Sequence, residues 1–192
     1  YMNICMYGAS SADLEQTYYD AARHLGRRIA SRGHGLVFGG GAQGLMGAAV
    51  EGLSSCGGYS LGIAPKFFDK PGILYKNCSD FIFTDTMRER KQLMEERADS
   101  FVMAPGGIGT FEEFFEILTL KQLGQLNKPI AIYNVCGYYD LLAQLLETTV
   151  NKGFMKSSCL GIFGIFDDAD KLLDYIEKER ESPLDLSNLK NI

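Results

Sequence analysis

Two adjacent carboxylates, Glu112 and Glu113, follow a glycine-rich loop in the segment PGGIGTFEEF. Three of four consecutive positions in that loop are glycine: Gly106, Gly107 and Gly109. Glycine lets the backbone approach a ligand closely, and free N–H groups at a helix start bind anions. A carboxylate beside such a loop suits a substrate that is anionic at one end and becomes cationic at its reacting centre. Glycosidic bond cleavage has this character, because its transition state is an oxocarbenium ion.

Glu113 also has a purely structural interpretation. Thr110 and Glu113 have the spacing of a capping box, in which the carboxylate accepts from the backbone N–H of Thr110 and does nothing else. A carboxylate held near a helix N-terminus has a lowered pKa and stays ionised. That state suits a group that stabilises positive charge or orients water, so both interpretations stay open. Glu112 is either a solvated neighbour or a binding group.

A second group of charges lies in the segment DTMRERKQLMEE, where Thr86 and Glu89 have capping-box spacing and predict a helix start. Three cations fall in the first turns of this helix: Arg88, Arg90 and Lys91. Cations there oppose the helix dipole, at a cost of ~0.3–1 kcal/mol each. A solvated helix face, with Lys91 paired to Glu95, is the simpler explanation. We favour a bound anion, because it would remove the electrostatic conflict.

The segment GGGAQGLMG, residues 39–47, fits the pattern G-x-G-x-x-G between a predicted strand and a predicted helix. A dinucleotide site usually follows the first strand and has an acidic residue ~20 residues further on. Here the loop follows the second strand, and no acid ends the next one. We interpret it as a mononucleotide or phosphate loop, with a tight turn as the alternative. The segment YGASS, residues 7–11, is a third loop of this kind.

The elements that must position these loops alternate along the chain. Short apolar runs predict strands at 3–7, 35–39, 59–64, 80–85, 100–104, 129–133 and 161–166. Segments with i, i+3, i+4 apolar spacing predict helices at 14–33, 44–57, 86–98, 110–124, 138–153 and 167–180. Strands that are apolar on both faces, each followed by a helix, indicate an α/β fold with a doubly wound parallel sheet. Ligands of such sheets bind beyond the carboxyl ends of the strands.

Length and composition limit the other possibilities. A chain of 192 residues with 46% hydrophobic residues fits one domain, which we expect over residues 1–182, with a frayed tail at 183–192 and a surface loop at 65–79. The net charge of −5 argues against a nucleic-acid surface. Five scattered cysteines and two histidines predict no disulfide framework and no metal site, and so a cytoplasmic protein. The apolar runs are too short to cross a membrane.

Five motifs together resemble the LONELY GUY family of cytokinin-activating phosphoribohydrolases: GGGAQGLMG, MRERK, PGGIGTFEE, QLGQLNKPI and NVCGYYD. The likeness runs from about residue 3 to residue 175. It implies a Rossmann-like homodimer that needs no cofactor and hydrolyses the N-glycosidic bond of adenosine 5′-monophosphate, often N6-prenylated. The products would be the adenine base and ribose 5-phosphate.

The resemblance also implies roles for individual residues. The catalytic pair of the family corresponds to Arg90, which would orient the substrate, and Glu113, which would stabilise the oxocarbenium ion and position water. With the loop residues above, the candidate substrate-binding set is Gly8, Ser10, Gly40, Gly41, Gly44, Met87, Lys91, Gly106, Gly107, Ile108, Gly109, Thr110, Glu112 and Thr119. The chain departs from the usual family residues at Ala9, Ala42, Arg88 and Leu120. These departures leave the preference for purine and N6 substituent open.

Three other classes of protein fit the sequence less well than this hydrolase. A non-catalytic nucleotide or cofactor carrier on the same fold is the main alternative, although a carrier needs no carboxylate facing the ribose. A dinucleotide-dependent dehydrogenase is disfavoured by the missing acidic residue. The decarboxylase label of the family fails, because no lysine here has a recognisable context for a pyridoxal phosphate Schiff base.

The predicted helix at 110–124 is apolar around most of its circumference. Its apolar residues are Phe111, Phe114, Phe115, Ile117, Leu118, Leu120 and Leu123. Such a helix needs to be covered on two sides. We therefore expect a homodimer that packs near this helix.

Overall fold

The computed structural model describes residues 1–189, in which helices and strands alternate. The strands are β1 (Asn3–Tyr7), β2 (Gly35–Phe38), β3 (Ser60–Pro65), β4 (Asp80–Thr84), β5 (Ser100–Met103), β6 (Ile130–Tyr133) and β7 (Gly164–Phe166). The helices are α1 (Gln16–Ser31), α2 (Gly44–Ser54), α3 (Met87–Arg97), α4 (Ile108–Gln122), α5 (Asp140–Asn151) and α6 (Ala169–Glu181). Every predicted strand and helix is present. The strand β1 has the predicted ends, and the other elements begin or end at different residues.

All the strands lie in one parallel sheet with the order β4-β3-β2-β1-β5-β6-β7. The chain adds strands outward from β1 to β4, then returns to the other side of β1 to place β5, β6 and β7. The doubly wound parallel sheet is therefore confirmed. The switch point lies between β1 and β5, and the loops at their carboxyl ends open apart there.

Helices cover both faces of the sheet, because the central strands are buried on both sides and need apolar cover. One core packs α1, α2 and α6 against the sheet, and the other packs α3, α4 and α5. The helices α1 and α2 approach closely through glycine. A Cβ on Gly26 would lie 1.9 Å from the carbonyl oxygen of Ala49, so a side chain there would force the helices apart.

A buried ion pair anchors the carboxyl end of α4, whose amino end carries the candidate loop. Lys121 is buried and bonds to the buried Glu179 of α6, and its Nζ also donates to the carbonyl oxygen of Lys128 at 3.0 Å. Burial lowers the pKa of Lys121, and the bond to Glu179 opposes that shift. Since a buried charge is tolerated only when it is paired, these contacts hold α4 in place.

The segment predicted as a tail makes contacts in its described part. Leu186 and Leu189 pack on the second core, and Asn127 Nδ2 donates to the carbonyl oxygen of Leu184 at 3.1 Å. Residues 190–192 of that predicted tail lie outside the described residues, and the division at residue 182 stays a prediction. None of the helices in the described part of the chain is long and apolar enough to span a bilayer.

Candidate active site

A cavity of about 660 Å³ lies at the carboxyl ends of the central strands. Its volume is within the usual range for a small-molecule site. Eleven of the sixteen predicted site residues line it: Gly8, Ser10, Gly41, Met87, Arg90, Gly107, Ile108, Gly109, Thr110, Glu112 and Glu113. The other five do not line it: Gly40, Gly44, Lys91, Gly106 and Thr119. The switch point thus brings three loops that are distant in sequence to one cavity.

Arg90 and Glu113 form an ion pair in the wall of this cavity. Arg90 Nη1 donates to Glu113 Oε1 at 3.2 Å, and the two side chains are only 8% and 12% exposed. Arg90 Nε also donates to the carbonyl oxygen of Ile63, within β3, at 3.2 Å. The guanidinium is therefore fixed by one charged and one neutral acceptor, each on a different element.

The sequence places Arg90 through the start of α3. The predicted capping box is confirmed, because the Thr86 hydroxyl accepts from the N–H of Glu89 and the Glu89 carboxylate accepts from the N–H of Thr86. Arg90 is then the fourth residue of the helix and points inward. Gly39 leaves room for it, since a Cβ there would lie 1.9 Å from Arg90 Nη2. The sequence singled out Gly39 only as the first glycine of the G-x-G-x-x-G pattern, whereas in the structure it leaves the space for this guanidinium.

The predicted capping box of Thr110 and Glu113 is wrong. The helix α4 begins at Ile108, with Gly107 as its N-cap and no side chain bonded to the free N–H groups. Thr110 lies inside the first turn, where its Oγ1 would be 2.1 Å from a Cβ on Gly106. Because a helix leaves its first N–H groups without intrahelical acceptors, this end of α4 can bind an anion.

The predicted lowering of the Glu113 pKa is also wrong. Burial raises the pKa of Glu113 above the ordinary value of 4.5, and this effect exceeds the opposing attraction of Arg90. Glu113 is the sixth residue of α4. The field of a helix end falls off beyond its first turn, so desolvation dominates there.

Four of the glycines that line or flank the cavity show two kinds of behaviour. Gly40 and Gly44 have φ values of 78° and 69°, a conformation that favours glycine, and a Cβ on Gly44 would lie 2.1 Å from the carbonyl oxygen of Ala9. The tight-turn interpretation therefore accounts for both. Gly107 and Gly109 differ, because neither has a positive φ and a Cβ on either would meet no atom within 4 Å. Nothing within the described chain requires glycine at these two positions.

The remaining predicted residues lie outside the cavity. Lys91 bonds to Glu112 and Glu116 of α4, not to Glu95 as the helix spacing suggested, and these bonds raise its pKa. It thus ties α3 to α4 beside the inner pair. Thr119 is exposed, three turns along α4 from the loop.

One wall of the cavity was not predicted. Phe68, Ile73 and Leu74, from the segment expected to be a plain surface loop, line it together with Met46. This segment docks along the loop 40–42, because Ala42 N donates to the Ile73 carbonyl at 2.9 Å and Tyr75 N donates to the Gly40 carbonyl at 2.8 Å. Apart from the short 3₁₀ helix Lys66–Phe68, the segment has no regular structure whose periodicity would reveal this contact.

Comparison with known proteins gives relatives that share nearly the whole chain. The family model described as "Possible lysine decarboxylase" matches residues 46–176. A cytokinin riboside 5′-monophosphate phosphoribohydrolase of Arabidopsis thaliana is 37% identical over 178 residues, which are 93% of this chain and 84% of that protein.

Solved structures with the same fold include proteins of another function. A molybdenum cofactor binding protein from the phototrophic bacterium Rippkaea orientalis has a TM-score of 0.72 at 22% identity, covering 92% of this chain and 96% of that one. The molybdenum cofactor carrier protein of Chlamydomonas reinhardtii has a TM-score of 0.69 at 20% identity, with coverages of 92% and 96%. These likenesses concern the fold alone. The family match and the Arabidopsis relative identify the chain as a member of the LONELY GUY family, whose matched model bears the decarboxylase description.

Proposed function

We propose that this protein hydrolyses the N-glycosidic bond of adenosine 5′-monophosphate or an N6-modified form of it, releasing the adenine base and ribose 5-phosphate. The observation that carries the proposal is the buried Arg90–Glu113 pair, 3.2 Å apart in the cavity wall beside the free amino end of α4. The named activity of the Arabidopsis relative supports the same reaction class.

The phosphate would bind at the start of α4. The N–H groups of Ile108 and Gly109 have no intrahelical acceptor, and the helix dipole favours negative charge there. Gly107 and Gly109 leave open space where side chains would otherwise stand. Their lack of a Cβ allows phosphate oxygens to come within hydrogen-bond distance of the backbone.

Glu113 would act on the ribose. The bond from C1′ to the base nitrogen breaks with its electron pair going to the base, and the oxygen of a water molecule bonds to C1′. The Glu113 carboxylate stabilises the cationic C1′ and accepts a proton from that water, and the leaving base takes up one proton overall. The raised pKa of Glu113 makes its carboxylate a better proton acceptor than an ordinary one.

Arg90 would hold Glu113 and orient the substrate. Its Nη1 contacts the carboxylate, its Nε is fixed by Ile63, and its Nη2 lies against Gly39 in the cavity wall. A guanidinium stays charged at all physiological pH values, so it keeps the ion pair in one geometry throughout the cycle.

The apolar wall suits the base. Five apolar side chains line the cavity: Met46, Phe68, Ile73, Leu74 and Met87. An adenine ring has two apolar faces, and an isoprenoid substituent on N6 would bury more apolar surface, at about 25 cal/mol per Å². We therefore expect this apolar lining to bind N6-modified substrates more tightly than unmodified adenosine 5′-monophosphate.

A non-catalytic carrier is the second candidate, because the fold is shared with molybdenum cofactor carriers at TM-scores near 0.7. A carrier holds an anionic ligand without bond cleavage, so a carboxylate in the binding cavity would only repel it. The inward position of Glu113 favours the hydrolase.

The net charge and the cysteines bear on the class of ligand and on the location that we propose. A net charge of −5 supports a small nucleotide as ligand and not a nucleic acid. The five cysteines are free, which supports a reducing, cytoplasmic location.

We also propose a homodimer that uses the exposed apolar residues of α4 and α5. Leu141 and Leu145 form an i, i+4 stripe on α5, and Leu141 is 77% exposed. Phe115 on α4 and Phe154 after α5 add to the exposed apolar surface. Helices with such faces are usually covered by another chain.

The first prediction tests the reaction itself. Purified protein should release free base from adenosine 5′-monophosphate and from its N6-isopentenyl form, with kcat/KM more than about tenfold above that for the nucleosides, because charge-assisted phosphate contacts are lost with the phosphate. Chromatography of the base and of ribose 5-phosphate measures this. Stoichiometric nucleotide binding without any base release would favour the carrier.

The second prediction concerns Glu113. Glu113→Gln keeps an oxygen that can accept from Arg90 but lacks the charge, so kcat should fall ~10²-fold or more while the fold is retained. Glu116→Gln is the matched control, since Glu116 pairs with Lys91 and does not line the cavity. Steady-state kinetics and thermal melts of both variants provide the comparison. Wild-type turnover by Glu113→Gln would exclude Glu113 from the chemistry.

The third prediction uses the open glycine of α4. Gly109→Ala should raise the free energy of unfolding by up to about 1 kcal/mol, because alanine favours the helix and meets no atom there. It should weaken ribose 5-phosphate binding roughly tenfold or more, since the new methyl group blocks a charge-assisted contact. Gly161→Ala, also in open space but remote from the cavity, should leave binding unchanged. If Gly109→Ala bound ribose 5-phosphate as tightly as the wild type, the phosphate would have to bind away from the start of α4.

The fourth prediction addresses assembly. Light scattering at micromolar concentration should give the mass of a dimer for the wild type. Leu141→Glu combined with Leu145→Glu should give a monomer, because two charges would be buried in the interface. Phe83→Glu on the edge strand β4 is the control, and it should remain dimeric. A monomeric wild type would contradict the proposal.

A further inference from the structure

Each carbonyl group of the loop that joins β5 to α4 accepts a hydrogen bond from another group of the protein. The acceptors and their donors are Ala104 O with Tyr139 OH (2.7 Å), Pro105 O with Ala9 N (2.9 Å), Gly106 O with Tyr138 OH (2.6 Å) and Gly107 O with Phe111 N (3.0 Å). Two of these four donors are tyrosine hydroxyls from one distant segment. Neither tyrosine lines the cavity.

The direction of these bonds matters for the neighbouring N–H groups. The carbonyl of Gly106 and the N–H of Gly107 belong to one planar trans peptide, in which they point in opposite directions. A hydroxyl that holds the Gly106 carbonyl therefore also sets the direction of the Gly107 N–H. Tyr139 holds the carbonyl of Ala104 in the same way. The peptide between Ala104 and Pro105 has no N–H, so this bond only anchors the loop.

The segment that carries the tyrosines is itself tightly held. Asn134 Oδ1 accepts from the N–H of Tyr139 at 2.7 Å, and Asn134 Nδ2 donates to Asp140 Oδ1 at 2.8 Å. Cys136 has a φ of 52°, the one positive value among the described non-glycine residues. Such a conformation is retained only where the surroundings impose it, and it often marks functional sites. This turn directs both hydroxyls at the loop.

The two tyrosines differ in burial. Tyr139 is buried, which raises the pKa of its hydroxyl and keeps it protonated as a donor. Tyr138 is 44% exposed, with its ring edge-on to Tyr18. Replacing the Tyr138 hydroxyl with hydrogen therefore disturbs the core less than the same change at the buried Tyr139 would. Tyr138 is the residue at which the bond can be tested without unfolding the protein.

We propose that Tyr138 is a positioning residue, whose hydroxyl holds the Gly106 carbonyl so that the Gly107 N–H is directed at the phosphate of the substrate. The proposal rests on the proposed function and deepens it, because it names what orients the anion loop. Tyr138 does not touch the substrate. Its effect reaches the ligand only through the peptide between Gly106 and Gly107.

The test compares Tyr138→Phe with Tyr59→Phe and with the wild type. Tyr59→Phe also removes one hydroxyl that bonds to a protein oxygen, that of Asp80, but at the opposite end of the sheet. Two probes are titrated calorimetrically: ribose 5-phosphate, which carries the phosphate, and adenine, which does not. Hydrogen exchange of the peptide covering residues 104–110 is followed in the same three proteins.

Tyr138→Phe should weaken ribose 5-phosphate binding about threefold to tenfold, the range expected for one neutral hydrogen bond, and leave adenine binding unchanged. Exchange in residues 104–110 should become faster. In turnover assays KM for the monophosphate should rise with little change in kcat, since the bond positions the phosphate and not the reacting carbon. Tyr59→Phe should match the wild type in every measurement.

Wild-type affinity of Tyr138→Phe for ribose 5-phosphate would overturn the proposal, even if exchange became faster, because the bond would then be only structural. A wild-type protein that fails to bind ribose 5-phosphate would overturn it as well. If the wild type binds ribose 5-phosphate but releases no base from any nucleotide, the hydrolase function fails, while the affinity of Tyr138→Phe still decides the role of this hydroxyl.

Discussion

The buried ion pair between Arg90 and Glu113 is the constraint on which the rest of the site depends. Two charges that are about nine-tenths buried are tolerated only when each keeps its partner and its hydrogen bonds. Keeping them together requires α3 to start where Thr86 caps it, α4 to run across from the other half of the sheet, and the residue after β2 to be Gly39. Lys91 also links α3 to α4, through its ion pairs with the exposed Glu112 and Glu116. The pair is thus a structural link between two helices and lies in the wall of the cavity.

The glycine-rich loops serve two different purposes, which their sequences do not distinguish. Gly40 and Gly44 satisfy the needs of the chain itself, through positive φ angles and close backbone approach. Gly107 and Gly109 satisfy no such need, and two carbonyl groups of their loop are held by tyrosines that do not line the cavity. The backbone at the start of α4 is therefore left with N–H groups and open space. This combination is what an approaching anion requires.

The fold alone does not distinguish a hydrolase from a protein that only carries a ligand, because molybdenum cofactor carriers have a similar fold. The difference must lie in the side chains that the sheet presents at its switch point. Burial raises the pKa of the Glu113 carboxylate although the Arg90 guanidinium lies against it, and perturbed pKa values of this kind cluster at functional sites. Phe68, Ile73 and Leu74 make part of the cavity lining apolar.

The sequence by itself determined the order and type of the elements and the cap of α3, and it singled out Arg90 and Glu113 as a candidate pair. These depend on local periodicity, on hydrogen bonds within three residues and on motifs carried by resemblance. Only the tertiary structure decided that α4 starts at Ile108, that Lys91 pairs with Glu112 and Glu116, and that residues 68–74 form a cavity wall. It also reversed the expected shift of the Glu113 pKa, because a pKa depends on how much water the surrounding elements exclude. Each of these features arises from groups far apart in the chain, whose contacts exist only once the sheet has brought them together.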